Sequence, residues 1–394
     1  MRPYTGDYTE QRKNEKSDFT YYTFTPRPLS GATLFKMDDE LASLLAEAHH
    51  ILGQLEGLIQ YAPNKNPFCE LMLLKECTYS MMIDYDAPNF KDVLIIRGTG
   101  KGDIETINNL LLAYKEATGM QFAAQDYSRL CSIALYGSSA EQQIGIRNTQ
   151  TFLQRAISNL KSYNPTAPED VLPSLTDISD YLYDCKDDPL IQAALVHYQF
   201  EMIHPFERYN GVVGRILSLM VLQKAAGEAL PALCLSEYLY LNKNEYFDML
   251  RTTQYSGGYV RWIKFFIRII NEAVQNSVVL LQKYESIIEL DEKRLKTAIP
   301  QTRSSGNVYE YLKAFPISSI SIAAAYLNVS YNSVSKVFVA LQENNLIVQE
   351  ANAIRNRIWE YSDLSSCLDS QDQMYHIPES ERGQKYERVA KWHI

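Results

Sequence analysis

The chain has 394 residues, enough for two or three domains with sizeable cores, and its 46% hydrophobic and 22% charged composition excludes global disorder. A formal net charge of −9 speaks against a protein that coats a polyanion, while leaving a locally basic face open. The cysteines at 69, 77, 131, 185, 234 and 367 include no C-x-x-C pair and sit mostly in apolar surroundings, which suits reduced core thiols better than disulfides or zinc. No apolar signal segment opens the chain and no run reaches about 18 apolar residues. A cytoplasmic protein with no membrane partner is therefore expected.

Residues 1–36 read as an extended arm rich in Tyr, Thr and Pro, with a short strand from Phe19 to Phe24. The spacing of Leu41, Leu44, Leu45, Ala48, Leu52, Leu55 and Leu58 predicts an amphipathic helix that starts at Asp38 or Asp39. Asn66-Pro67 opens a second helix reaching about Asp84, which puts Ser80 and Asp84 one turn apart on one face. Gly98-Thr-Gly-Lys-Gly102 reads as a loop, and a phosphate loop is not expected there because the Gly-x4-Gly-Lys-Ser/Thr spacing is missing and no parallel-sheet pattern surrounds it. A third amphipathic helix is expected from Asp103 to Thr118. A short helix and then a loop or strand follow between Asp126 and Arg155. Tyr163 to Pro168 reads as a loop or small hairpin ahead of a helix from Pro173 to Tyr183.

Further on, Ser236 to Thr253 and Tyr259 to about Lys296 read as helices, the latter long and open to a break. Gln301-Thr-Arg-Ser-Ser-Gly306 is the expected linker. Helices from Val308, Ser319 and Tyr331 then precede two alternating strands, Leu346 to Glu350 and Arg357 to Tyr361, joined by Asn352 to Asn356. Helix-turn-helix followed by a hairpin is the winged-helix pattern. A polar tail closes the chain.

The densest chemistry lies in His204-Pro-Phe-Glu-Arg-Tyr-Asn-Gly-Val-Val-Gly-Arg215. Upstream, Asp188 is placed to cap an apolar helix with Pro189 at its first position, and Pro205 ends that helix at or just after His204. Asn210-Gly211 favours a turn, and a second apolar helix starts near Val212. Its free N–H groups point back at His204, with Arg215 one turn in. A general base beside an anion site follows. His197, two turns earlier, reads as a buried packing residue outside the site.

This arrangement resembles the active-site motif of the Fic (filamentation-induced-by-cAMP) family, His-Pro-Phe-x-Asp/Glu-Gly-Asn-Gly-Arg-x-x-Arg. The resemblance extends over roughly residues 20–300. Tyr22 to Leu29 is similar to the arm that opens the N-terminal helical domain of larger members, and Lys75 to Asp84 to the inhibitory helix, Ser/Thr-x-x-x-Glu-Gly/Asn. Arg147 with Tyr163, Asn164 and Pro165 resembles the strand and flap that hold a target backbone. Leu233 to Tyr238, Asn244 to Tyr246 and Trp262 to Phe266 resemble the later core helices. What the resemblance implies is a mainly α fold: a Fic-type helical core with a small β-hairpin flap, an N-terminal helical regulatory domain and a C-terminal winged helix-turn-helix. The corresponding domain expectation is 1–100 for the arm and regulatory domain, 101–300 for the core, 301–365 for the winged helix and 366–394 for the tail.

The implied activity is transfer of AMP from ATP to a Ser, Thr or Tyr hydroxyl of a target protein. His204 would be the base. Phe206, Arg208, Asn210, Gly211, Val212, Gly214 and Arg215 would surround the nucleotide phosphates, and Asp84 on the inhibitory helix, one turn from Ser80, would pair with Arg215 and exclude the productive phosphate pose. Departures from the pattern cluster here. Arg208 stands in place of the acidic Mg²⁺ ligand, Tyr209 in place of Gly, Val212 in place of the first Arg, and Tyr85 in place of Gly or Asn. Arg offers no lone pair, so Mg²⁺ loses that ligand, and Glu207 could replace it only if the turn were rephased. Losing the metal and one clamp would cost on the order of 10² to 10⁴ in rate.

The expectation is thus a weak or altered protein adenylyltransferase. The alternative is a catalytically degenerate homologue that binds nucleotide or phosphate and regulates through its winged helix. A different phosphate-containing donor is a third reading. In the winged helix, Lys336, Arg355 and Arg357 are offset by Glu343, Glu350 and Glu360, which favours a docking or homodimerising module over a DNA partner.

Overall fold

Asp38 accepts the Leu41 N–H and so begins the first of a long series of helices. The computed structural model describes residues 5–12, 20–31, 34–118, 120, 122–139, 144–152, 163–298, 302–349 and 357–368. Two strands, β1 (Gly6–Arg12) and β2 (Thr20–Pro26), precede α1 (Asp39–Tyr61), α2 (Lys65–Asp84), α3 (Phe90–Thr99), α4 (Glu105–Ala117) and α5 (Ala124–Tyr136). Then come β3 (Tyr163–Asn164), α6 (Pro168–Asp184), α7 (Pro189–Ile203), α8 (Asn210–Ala226), α9 (Leu235–Leu241), α10 (Lys243–Ser256) and α11 (Tyr259–Ala298). The last elements are α12 (Arg303–Ala314), β4 (Ile317–Ser319), α13 (Ile320–Leu327), α14 (Tyr331–Glu343), β5 (Val348–Gln349), β6 (Ile358–Glu360) and α15 (Ser362–Leu368). The fold is mainly α, as the sequence leads one to expect.

The chain divides into two units. The first comprises Met1–Lys65, Cys69–Pro88 and Ile104–Val278. At its centre α7 and α8 are apolar on every side, and nearly all their residues are buried. Trp262 on α11 donates its indole N–H to the Ala194 carbonyl at 2.6 Å, tying the later helix to α7. The arm is fixed by hydrogen bonding: β1 pairs antiparallel with β2, β2 pairs parallel with β3, and Gln199 on α7 donates to the Arg27 carbonyl at 2.6 Å. Phe19 lies outside the described residues, and the strand expected from it begins at Thr20.

Helix α2 is anchored by buried polar groups. Lys75 Nζ lies 2.9 Å from Glu237 Oε2, and both side chains are fully buried. The neighbouring Glu76 accepts from the Tyr114 hydroxyl at 2.9 Å, from the Ser236 N–H at 2.7 Å, and from the Ser236 hydroxyl. A one-residue slip of α2 would strand these charges, so the register of its C-terminal turn, where Ser80 and Asp84 lie, is set by this cluster.

The second unit comprises Asn66–Phe68, Asn89–Asp103 and Val279–Ile394. Here the Gly98–Gly102 segment, expected as a loop, begins within α3: Gly98 and Thr99 are helical, and Gly100 at φ 66° caps the helix. Helix α3, absent from the expected elements, starts at an Asn89 cap and packs so closely on β4 that a Cβ at Gly98 would collide with the Ile317 carbonyl. The expected linker is also largely helical. Thr302 and Ser305 cap each other reciprocally, so α12 starts at Arg303, while Gln301 lies outside the described residues. Helix α11 runs unbroken for 40 residues. Helices α12 to α14 surround a small antiparallel sheet of order β4-β6-β5, with Trp359 of β6 set edge-on to Phe338 at 5.7 Å. The turn expected at 352–356, with Arg355, lies outside the described residues, as do 369–394 of the tail. No single helix among the described residues is long and apolar enough to cross a membrane.

Removing one member of the buried Lys75–Glu237 pair leaves an uncompensated charge. Glu237→Gln should lower unfolding stability by about 3–5 kcal/mol in a urea titration, whereas Lys75→Met combined with Glu237→Leu should recover most of that loss. Equal losses in the single and double variants would show that the pair is not the anchor of α2.

Candidate functional site

Helix α7 stops where His204 takes a left-handed conformation, φ 52° and ψ 62°, its N–H still bonded to the Phe200 carbonyl. Pro205 forbids a further helical turn. The loop that follows is closed by Asn210, whose Oδ1 accepts the Phe206 N–H and whose Nδ2 donates to the Phe206 carbonyl, both at 2.8 Å. A second clamp comes from Arg147. Its guanidinium donates to the His204 carbonyl at 2.7 Å, to Ile203 at 3.1 Å, to Thr149 at 3.1 Å and to Thr166, while its N–H donates to the Pro205 carbonyl at 2.9 Å. A cation thus satisfies the orphan carbonyls at the end of α7 and fixes the loop that presents His204.

Helix α8 starts after Tyr209, which is also left-handed at φ 67°. Its N-terminus is covered by the last turn of α2. Arg215, fully buried, donates from Nε to the Ser80 hydroxyl at 2.8 Å, and from Nη2 to the Ser80 carbonyl and Asp84 Oδ2, each at 2.7 Å. The Asp84 carboxylate lies over Gly211 so closely that a Cβ there would collide with Oδ2, and that Cβ would stand 2.9 Å from Arg215 Nη1. Gly211 is required by this approach. Nη1 is buried with no hydrogen-bond partner among the described residues. A carboxylate resting on a helix N-terminus beside a guanidinium is the arrangement an anion site would bind.

Burial keeps both histidines of this region uncharged at neutral pH. Burial lowers His204 from 6.5 to about 4, with the Glu201 main chain and Asp84 opposing, so its imidazole is neutral and able to accept a proton. Burial also lowers His197 to about 3; its Nδ1 lies 2.8 Å from the Ser218 hydroxyl and its Nε2 2.8 Å from the Tyr246 hydroxyl. Burial and then Asp84 raise Glu201 to about 8, Arg215 opposing. Burial works against the charge of Arg215, but Asp84, Tyr246 and Glu201 outweigh it and hold its proton more firmly than usual.

The structure brings His204, Phe206, Asn210, Gly211, Arg215, Ser80 and Asp84 together, with Val212 and Gly214 buried in the first turns of α8. Asn210 acts on the loop backbone, and Phe206 is fully buried. Arg208 and Glu207 are exposed. Among the described residues no three His, Cys, Asp or Glu side chains converge to hold a metal ion. At the proposed flap, Asn164 donates to the Tyr22 carbonyl at 3.1 Å and the Pro165 carbonyl accepts from Gln150 at 3.1 Å, while the main chain of Tyr163 pairs with Tyr22. Residues 153–162 lie outside the described residues. Glu201 and Tyr246 were not singled out for the site from sequence. A lone Glu in the last turn of an apolar helix, three residues before His204, was the available signal for the first.

Residues 122–222 match the model of the Fic/DOC family. Over 83 residues the chain is 34% identical to the protein adenylyltransferases fic-1 of Caenorhabditis briggsae and Caenorhabditis elegans. That match covers 20% of this chain and spans only 15% of the length of each relative. A Fic family protein from Desulfovibrio desulfuricans G20 of known structure shares the fold, with a TM-score of 0.55 and 16% identity over 84% of this chain and 98% of the other.

Stability should peak near pH 6.5 as far as these buried groups set it. Below that, the unfolded chain binds protons at His197 and His204 that the folded one refuses down to about 3 and 4; above it, the folded chain keeps a Glu201 proton up to about 8. Glu201→Gln should therefore abolish the decline in urea midpoint between about pH 6.5 and 8. An identical decline in both proteins would contradict the assignment. Arg147→Lys, which cannot reach four carbonyls, should lower stability by about 2 kcal/mol or more, and NMR should show the His204 ring mobile.

Proposed function

From the Fic/DOC domain that residues 122–222 form, we propose that this chain is a protein adenylyltransferase held in check by its own α2. The observation that carries the reading is the Asp84 carboxylate laid across the N-terminus of α8 against Arg215, where a nucleotide phosphate would compete with it. ATP is the proposed donor and a Ser, Thr or Tyr hydroxyl of another protein the acceptor. Neutral His204 takes the proton from that hydroxyl as its oxygen attacks the α-phosphorus. The bond from that phosphorus to the bridging oxygen breaks, and pyrophosphate leaves carrying the electron pair. The amides from Gly211 to Gly214 and the free Nη1 of Arg215 stabilise the developing charge. Arg147 and Asn210 contribute by holding the loop, which keeps His204 in register with α8.

The donor set does not fit Mg²⁺: Arg208 has no lone pair, and Glu207 is a single exposed carboxylate. Slow turnover is the expected consequence of this missing metal ligand. That same chemistry supports a second reading, a nucleotide-binding regulator without turnover. The α12–α14 helices with the β4-β6-β5 sheet support a winged helix over 301–365, and its mixed charges suit docking or homodimerisation better than DNA. Free cysteines throughout suit a reducing cytoplasm. On the same reading residues 1–100 act as arm and regulatory domain, 101–300 as core, and Tyr163, Asn164 and Pro165 as the flap against which a target lies.

Incubation with α-labelled ATP distinguishes the readings. Asp84→Gly should acquire label on itself or on added protein at least tenfold faster than wild type, and Asp84→Gly/His204→Ala should acquire none. Absence of His204-dependent label in Asp84→Gly would overturn the transferase reading. Calorimetric binding of ATP in that variant would then favour the regulator.

A further inference from the structure

Two of the residues that depart from the family pattern touch each other. Tyr85 caps the C-terminus of α2, directly after Asp84; Tyr209 precedes α8, directly before Asn210 and Gly211. The Tyr209 N–H donates to the Tyr85 hydroxyl at 3.0 Å, and the two rings lie 5.0 Å apart with 38° between their planes. Tyr209 is 7% exposed and adopts a left-handed φ of 67°, a conformation that disfavours any residue with a Cβ and persists where neighbours hold it. The contact involves neither Arg215 nor Asp84. It joins the same two segments as the ionic pair, at a different point.

We propose that Tyr85 is a second, independent hold on the end of α2: breaking the Asp84–Arg215 pair leaves α2 pinned to the loop before α8, and the anion site opens fully only when the Tyr85–Tyr209 contact is released as well. The proposal rests on reading the α8 N-terminus as an anion site closed by Asp84. It also accounts for the pair of aromatic departures as one feature. A carboxylate one methylene shorter than the family's Glu gives a brake of shorter reach, and the tyrosine beside it adds a contact that no small residue could make. A ligand or target that displaces Asp84 must therefore also move Tyr85. A partner that grips the half-exposed Tyr85 ring could open the site without competing for Arg215.

Four versions of the 394-residue chain test this: wild type, Tyr85→Phe, Asp84→Ala and the double variant. Tyr85→Phe keeps the ring and loses only the acceptor. Hydrogen exchange at the Tyr209 amide reads the hold without any ligand, and calorimetry with inorganic pyrophosphate reads the site. Tyr85→Phe should speed Tyr209 exchange about tenfold while Asp84→Ala leaves it near the wild-type rate. Pyrophosphate should bind the double variant about five- to tenfold more tightly than Asp84→Ala. Unchanged Tyr209 exchange in Tyr85→Phe, or an equal rise in Asp84→Ala, would overturn the proposal, as would equal pyrophosphate affinity in Asp84→Ala and the double variant where both bind. If none of the four binds pyrophosphate while Tyr209 exchange follows Tyr85 alone, the anion-site reading fails and the independent hold stands.

Discussion

A fully buried guanidinium governs this structure. Arg215 lies out of water in the first turns of α8, and such a charge is tolerable only where acceptors surround it. The Ser80 hydroxyl and carbonyl and the Asp84 carboxylate, all on α2, accept from it, while Tyr246 on α10 and Glu201 on α7 also favour its charge. The need to neutralise one cation therefore holds the last turn of α2 over the N-terminus of α8. The buried Lys75 and Glu76 contacts upstream keep α2 in the register that makes this possible.

Around that contact the α7–α8 hairpin works as a rigid frame. Its helices are buried on all sides, so the loop between them cannot be positioned by an amphipathic face and is instead held by polar groups: Asn210 across the loop and Arg147 from outside it. Burial leaves the His204 ring neutral at physiological pH. His204 and the N-terminus of α8, the proposed proton acceptor and anion site, are thus fixed by different interactions. His197, read from sequence as a packing residue, does pack against Trp262 and Phe266, and its ring nitrogens also meet Ser218 and Tyr246.

The helical elements and the central motif were legible in the sequence because their signals are local. Asp188-Pro189 marks a helix start, Pro205 a stop, and the leucine spacing after Asp38 a helix face. The placement of Asp84 against Arg215 was legible only through the family resemblance, since 131 positions separate the partners. Other features were hidden for definite reasons. The Thr302/Ser305 cap turns a polar stretch that resembles a linker into a helix start. Helix α3 is too short to show a period. The raised carboxyl of Glu201 and the four-carbonyl grip of Arg147 depend on burial and convergence that no spacing encodes. Tyr85 and Tyr209 could be seen as departures, but their contact with each other required the fold.

The central claim is that the Asp84 carboxylate occupies the position an anion would take at the N-terminus of α8. Crystals of the wild type and of Asp84→Ala grown with sulfate test it most directly. The account predicts sulfate over Gly211, within hydrogen-bond distance of Arg215 Nη1, in Asp84→Ala alone. Sulfate at that position in the wild type with the Asp84–Arg215 pair intact, or no anion there in the variant, would contradict it.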